Sequence, residues 1–181
     1  RVEVWARLSM PMAGPDCGFW FVPEIGDEVL LAFGRDEREV FVIGGLWNGL
    51  DRPPQEAMPT PRAARGLIRT RQGLQLAFEE ADGQARIAME TPGGQRLALS
   101  DGPAGIEITD ANGNAVLMAA DGVTVTAAGR VAVDAAQVDL TASVLTVNAG
   151  MSKFSGVVQC DTLIANSVVS ASYTPGAGNV Y

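Results

Sequence analysis

Histidine is absent from the 181 residues of the sequence. Ser-His-Asp and Cys-His catalysis are therefore excluded, and the commonest protein ligand of transition metals is missing. The two cysteines, Cys17 and Cys160, lie far apart and form no CxxC pair, so we interpret them as free, buried thiols, with a disulfide between them as the alternative that nothing in the sequence requires. We predict no catalytic residue, no cofactor and no metal site.

Positive charge and long apolar runs are also scarce. Lys and Arg number 13 against 21 Asp and Glu, a net charge of −8, which argues against a nucleic-acid partner because binding to phosphate backbones depends on basic residues. No run of 18 apolar residues occurs and no basic-then-apolar segment opens the chain, so we expect neither a transmembrane helix nor a signal peptide. Aromatic residues make up only 6% of the chain, so a core must consist mainly of small aliphatic residues and alanine.

The sequence does contain a repeat of short strands between residues 106 and 147. In each strand two aliphatic residues flank one small or polar residue, which is typical of a strand with one apolar and one polar face. The strands that begin at residues 123, 131, 138 and 145 follow one another at steps of seven or eight residues. One such strand cannot enclose a core, so the strands must stack. The residues predicted to face inward are Ile106, Ile108, Val123, Val125, Val131, Val133, Val138, Leu140, Leu145 and Val147.

Two arrangements satisfy this pattern. One chain can form all three walls of a β-helix, or three chains can each supply one wall and wind around a common axis. The aliphatic residues point inward in both, so the pattern alone favours neither.

Residues 1–50 are predicted to form a different unit, a small β-barrel made of short strands with turn residues between them. Strands are expected over residues 2–8, 18–22, 29–33 and 40–43, with a charged hairpin tip at residues 34–39. The segments PEIGDEV at residues 23–29 and IGGLWNG at residues 43–49 closely resemble the OB-fold of the spike proteins of contractile injection systems. MPMAGP at residues 10–15 and GFWF at residues 18–21 are also similar to that family.

The resembled family includes the gpV spikes of phage baseplates and the valine-glycine repeat protein G (VgrG) of type VI secretion. The resemblance covers roughly residues 5 to 52, and further along, where the family has a trimeric β-helix, it is one of composition only. The family has strand material before the segment that matches Trp5, and only four residues precede Trp5 here. The barrel is therefore expected to be incomplete, or residues 1–4 replace its first strand.

This resemblance implies an all-β fold, with an OB-like barrel at residues 1–50 and an elongated, intertwined trimeric β-helix as a shaft. It implies a homotrimer without enzymatic activity that sits at the tip of an injection apparatus and punctures the target cell envelope. The implied partners are baseplate hub or tube proteins, a small PAAR-like tip-capping protein and, transiently, the target membrane. The implied location is an assembled phage tail, phage-tail-like particle or secretion apparatus, which receives the protein from the cytoplasm and delivers it outward on contraction.

Two other function classes are weaker fits. A non-catalytic glycan-binding β-helical module would need exposed aromatic residues, and residues 79–150 contain none. A β-helical polysaccharide-degrading enzyme would need clustered charged residues on one face of the shaft, whereas the polar positions of the strands are mostly threonines.

The rest of the chain is divided by its glycines and prolines. Residues 51–65 are predicted to be a proline-rich linker, and residues 66–150 the shaft, whose first part up to residue 122 is a meander or a wide section of the prism. Residues 151–181 are predicted to be a tip or cap. The tip residues are expected to be Phe154, Leu163, Ile164, Tyr173, Pro175 and Tyr181.

Two polar motifs are interpreted as turns. The segment DANGN at residues 110–114 lacks the glycine and glutamate positions of a calcium-binding EF-hand loop, so we predict a plain Asn-Gly turn. Glu24, Asp27 and Glu28 are predicted to be solvated turn residues rather than a catalytic acid/base pair.

Overall fold

The structure, a computed structural model, describes residues 3–36, 38–54, 63–81, 84–103 and 105–172. These ranges contain β-strands and turns and no helix, so the predicted all-β class is confirmed. The part of the chain that the structure describes accordingly holds no helix able to span a bilayer. The chain divides into two compact units, Arg1–Val133 and Asp134–Tyr181.

The N-terminal part of the first unit contains five short strands. They are β1 (Ala6–Leu8), β2 (Ala13–Gly14), β3 (Cys17–Gly18), β4 (Val29–Phe33) and β5 (Val40–Gly45). Strands β4 and β5 form the predicted antiparallel hairpin, and β1 pairs with β5 in parallel, which gives a sheet of order β1-β5-β4. Strands β2 and β3 form a separate two-stranded ribbon. The described N-terminal sheet thus has three strands, whereas an OB barrel has five.

The strand predicted over residues 18–22 is wrong. Strand β3 ends at Gly18, and the next residues pair with no other strand among those described. Phe19, Trp20 and Phe21 owe their strand-like appearance in the sequence to bulky apolar side chains, yet these side chains are exposed. Strand propensity of this kind depends on packing against neighbouring residues, which the isolated chain does not supply here.

A seven-stranded antiparallel sheet follows. Its strands are β6 (Ala63–Arg69), β7 (Gln75–Ala81), β8 (Gln84–Glu90), β9 (Arg96–Ser100), β10 (Ile106–Thr109), β11 (Ala115–Ala119) and β12 (Gly122–Thr126). They lie in the sheet in chain order, so this region is a meander, one of the two arrangements that its Gly-containing turns predict.

Three turns at the same end of this sheet repeat one design. They join β6 to β7, β8 to β9 and β10 to β11, and each opens with a residue whose side-chain oxygen accepts the N–H of the residue four positions later. The N···O distances are 3.1 Å for Leu74 to Thr70, 3.2 Å for Gln95 to Thr91, and 2.9 Å for Asn114 to Asp110. The fourth residue is a glycine with positive φ in each, at 88° for Gly73, 84° for Gly94 and 85° for Gly113.

These turns also stack on one another. A Cβ atom on Gly73 would lie 3.3 Å from Pro92 of the next turn, and one on Gly94 would lie 3.1 Å from Ala111 of the turn after that. Beyond β12 the stack continues, since the Ala128 N–H donates to Asn114 Oδ1 at 3.0 Å. The glycines therefore permit both the left-handed backbone and the close approach of successive turns.

Residues 127–172 form no strand within the described chain. Between residues 131 and 150 the backbone instead bends at residues 136, 143 and 150, a spacing of seven residues that matches the predicted step of seven or eight.

Candidate interaction surface

One face of the seven-stranded sheet, which we call the apolar face, is apolar from edge to edge. Because side chains alternate between the faces of a strand, directly paired residues form rows across the sheet. One row consists of Ile68, Leu76, Met89, Leu97, Ile108, Val116 and Val125, each in direct register with the next. A second row consists of Gly66, Phe78, Ile87, Leu99, Ile106, Met118 and Val123.

The opposite face, which we call the charged face, is covered by side chains of the same sheet. Ala77, Ala88 and Ala98 lie in register along it and are 1%, 5% and 3% exposed. Ion pairs flank these alanines on both sides. Arg65 pairs with Glu79 at 3.1 Å and Arg86 with Glu79 at 3.5 Å, while Arg96 pairs with Glu90 at 3.1 Å and with Glu107 at 3.2 Å. The alanines leave room for these longer side chains to lie over them, which accounts for their burial.

No described residue covers the apolar face in the same way. Its side chains remain 37% exposed at Ile106, 47% at Met89 and 65% at Val123, even though each has apolar neighbours on the adjacent strand. The face borders a concavity of about 960 Å³ that is lined by residues such as Leu74, Leu76 and Ile108. A contiguous, exposed apolar surface across seven strands is typical of an interaction site.

Four of the predicted inward-facing residues lie on this apolar face. Ile108 and Val125 belong to the first row, and Ile106 and Val123 to the second. The sequence analysis did not assign the rest of the face to the core. The signal was present, since in strands such as β8 and β9 two aliphatic residues flank one alanine, but the irregular spacing of these strands hid it.

The remaining predicted inward-facing residues lie where the chain forms no ladder of its own. Val131 and Val133 end the first compact unit, and Val138, Leu140, Leu145 and Val147 belong to the second. All six are exposed in the chain, between 57% and 73%. Among the described residues this segment belongs to no β-ladder, so its backbone N–H and C=O groups are open to strands of another chain.

The tip residues are also exposed. Phe154 is 70%, Leu163 72% and Ile164 92% exposed. Tyr173, Pro175 and Tyr181 lie outside the residues that the structure describes. Cys17 and Cys160 are free, as predicted, but both are exposed in the single chain, so the predicted burial is not found there.

The polar motifs contribute to local structure. The Asp110 carboxylate accepts the N–H groups of Asn112 at 2.8 Å and Asn114 at 2.9 Å, and the Asn114 side-chain amide also donates to it. Hydrogen bonds to the charged form stabilise it, so the pKa of Asp110 falls to about 2, led by the bond from Asn114. The carboxylate is thus engaged as the acceptor of an Asn-Gly turn, in agreement with the sequence interpretation.

Asp27 is engaged in the same way. It accepts hydrogen bonds from the Arg71 guanidinium, the main reason why its pKa lies below the usual range, and from the Glu24 N–H at 2.8 Å. Arg71 also pairs with the Glu24 carboxylate at 3.1 Å, so the first turn of the meander is tied to the N-terminal turn. Within the described ranges, no three Cys, Asp or Glu residues converge in a way that could hold a metal ion.

The total surface shows how incomplete the chain is by itself. It exposes 16568 Å², whereas a folded monomer of 18.9 kDa exposes about 8,300 Å² by the usual scaling with mass. Val40, Ala77, Ala88 and Ala98 are the buried hydrophobic residues among those described. A chain with an intact sheet, an apolar face that the described residues leave exposed and a periodic segment without a ladder has the features expected of a subunit in a β-structured assembly.

Comparison with known protein families agrees with this class. Residues 1–47 match the type VI secretion system/phage-baseplate injector OB domain, and residues 86–152 match the phage baseplate V C-terminal trimerisation domain. The two matches do not overlap and together span more than half of the chain. The chain belongs to the gpV/VgrG-like family of baseplate spike proteins, and its role is a structural one in a phage or type VI injection apparatus.

Proposed function

We propose that this chain forms a homotrimeric spike that punctures the envelope of a target cell when the injection apparatus contracts. The observation that carries the proposal is that one chain has both an apolar face left exposed by the described residues and a periodic segment that forms no β-ladder within the chain. Both features lie largely within the match to a trimerisation domain at residues 86–152.

A β-helix to which three chains each contribute one wall explains the periodic segment better than a β-helix whose three walls come from one chain. A β-helix made by one chain would place ladder hydrogen bonds between successive steps of that chain, and none of the described residues after 126 belongs to a strand. In a trimer the missing partners are the equivalent segments of the other two copies. Val131, Val133, Val138, Leu140, Leu145 and Val147 then face a shared axis.

The mechanical role follows from this interleaving. A strand whose neighbours belong to two other chains cannot separate without breaking the hydrogen bonds of both, so a shaft built in this way resists axial load. Puncturing requires no reaction at an active site, which agrees with our interpretation of the spike as a non-enzymatic protein. We infer that the protein is made in the cytoplasm, assembles on baseplate hub or tube proteins and is delivered outward, with a small PAAR-like protein capping its tip.

The exposed tryptophans of the N-terminal part favour a second candidate function, glycan binding. Trp5 is 98%, Trp20 81% and Trp47 70% exposed, and exposed aromatic rings suit sugar faces. All three lie within the match to the injector OB domain, so we assign them to contacts with hub proteins. Binding to a glycan array that Trp20→Ala abolishes would favour the second candidate.

Native mass spectrometry of the full chain tests the proposal. A trimer is expected, with concentration-dependent dissociation, and a monomer would refute it. Deleting residues 152–181 tests the tip in turn. We expect a trimer that is less soluble or less heat-resistant, because the last layer of the shaft would be exposed to water. A shortened trimer with unchanged solubility and heat resistance would show that the segment is not a cap.

A further inference from the structure

Backbone bends divide the described part of the second compact unit, residues 134–172, into steps of two lengths. The bends at residues 136, 143 and 150 are seven residues apart. The later bends begin with a two-residue bend at residues 155 and 156, and from its second residue the bends at 156, 161, 166 and 171 are five residues apart. The apolar residues of the tip, which follow no seven-residue pattern, therefore have a repeat of their own.

The apolar residues keep the same position relative to the bends on both sides of this change. Two residues after a bend the chain has Val138 and Leu145 in the long steps, and Val158, Leu163 and Val168 in the short ones. The exception is Ser152, which follows the bend at residue 150, where the step length changes.

Exposure separates these residues from the other aliphatic residues of the tip. Val158 is 60%, Leu163 72% and Val168 60% exposed, close to the values of the inward-facing residues in the long steps. Their neighbours are almost fully exposed. Val157 is 97%, Ile164 92% and Val169 99% exposed. The two sets therefore point in different directions from the same backbone.

The size of the side chain at the fourth residue after a bend also supports the division into inward-facing and outward-facing residues. Side chains two residues apart on an extended strand share a face, so the fourth residue after a bend faces the same way as the second. In the long steps this position holds Leu140 and Val147, and in the short steps it holds the smaller residues Cys160, Ala165 and Ser170. A shorter step makes a narrower wall, which leaves room for only one large side chain.

We propose that the tip tapers by a change from seven-residue to five-residue steps, and that Val158, Leu163 and Val168 form its contact surface with two further copies of the chain. This inference rests on the proposed homotrimer. It places Leu163 inside the tip and the adjacent Ile164 outside, so only the first of these two predicted tip residues contacts the other copies.

Leu163→Asp and Ile164→Asp in the full chain form a matched pair for the first test. The readout is hydrogen exchange of residues 151–172, because the tip can open locally while the rest of the trimer holds. We expect exchange at least about tenfold faster for Leu163→Asp than for the natural chain, and no change for Ile164→Asp. Equal effects of the two substitutions would overturn the assignment.

An insertion tests the step length independently. Duplicating residues 161–165 adds one complete short step, whereas the same insertion with one extra alanine shifts every later side chain to the opposite face. We expect natural exchange protection after the five-residue insertion and lost protection after the six-residue one. Similar protection in the two would refute the five-residue step. A natural chain that is monomeric in native mass spectrometry would instead refute the homotrimer, so the two failures are distinguishable.

Discussion

Val147 and Thr146 offer a direct test of the three-chain shaft, because the isolated chain does not distinguish them. Val147 is 65% exposed and Thr146 is also exposed, so Val147→Asp and Thr146→Asp should cost a single chain equally little. In the proposed trimer Val147 faces the shared axis and Thr146 faces solvent. The two variants should then differ strongly in trimer stability.

The size of the difference can be estimated from the exposed fraction of Val147. Complete burial of a valine side chain contributes roughly 1.5–3 kcal/mol, so covering the exposed two-thirds contributes about 1–2 kcal/mol per chain and about 3–6 kcal/mol per trimer. The aspartate variant loses this contribution and must also desolvate three carboxylates close together, which adds several kcal/mol. Thr146→Asp should change stability by only about 0.5 kcal/mol per chain, or at most about 1.5 kcal/mol per trimer, as exposed substitutions usually do.

Chemical denaturation at several protein concentrations, followed by native mass spectrometry, measures this difference. Val147→Asp should dissociate at concentrations where Thr146→Asp remains trimeric. Neighbouring carboxylates raise the pKa of one another, so acid should neutralise the three aspartates and partly restore the Val147→Asp trimer. Equal trimer stability of the two variants at neutral pH would refute the inward assignment of this position.

Three further predictions concern single features of the fold. Gly105→Ala should lower the free energy of unfolding by more than about 2 kcal/mol, because φ is 56° and the new Cβ would lie 2.2 Å from the Met118 carbonyl oxygen. Gly113→Ala is the control: φ is 85° and the nearest atom would be 3.9 Å away, so it should cost only about 1–2 kcal/mol. Thermal unfolding measures both, and equal costs would contradict the explanation by packing. Folded Asp110 has a pKa of about 2 against an ordinary 3.8, so its stabilising contribution is complete above pH 3.8 and is lost as the pH falls toward 2. When the free energy of unfolding is measured against pH, it should therefore fall less steeply in acid for Asp110→Asn than for the natural chain. Identical curves would refute the role of the carboxylate. A chain truncated after Val133 should still form a trimer in native mass spectrometry, and a monomer would show that the sheet does not begin assembly.

The meander was predictable because its information is local. Strands β7 to β11 alternate with period two, and turn pairs such as Gly93-Gly94 and Asn112-Gly113 separate them, so strands and order follow from neighbours in sequence. The shared design of the turns was less visible, since Thr70, Thr91 and Asp110 differ in residue type while making the same hydrogen bond.

The features that sequence reasoning missed depend on contacts between chains or on a change of period. The strand predicted at residues 18–22 and the predicted burial of Cys17 and Cys160 both assume an interior that this chain lacks. The five-residue steps were hidden because aliphatic residues facing both directions occur side by side, as at Val157 and Val158. Backbone bends were needed to distinguish them.

The meander and residues 127–172 depend on assembly in different ways, and this difference indicates an order in which the proposed trimer forms. Every strand of the meander pairs with its neighbour in sequence, so loop-closure costs are small and the sheet can form within one chain. Its bare apolar face then provides the driving force for association. Residues 127–172 have no such local pairing, and in the proposed trimer their ladder partners arrive only with the other chains. In the proposed trimer we therefore expect residues 127–172 of the three chains to pair only after the sheets have met.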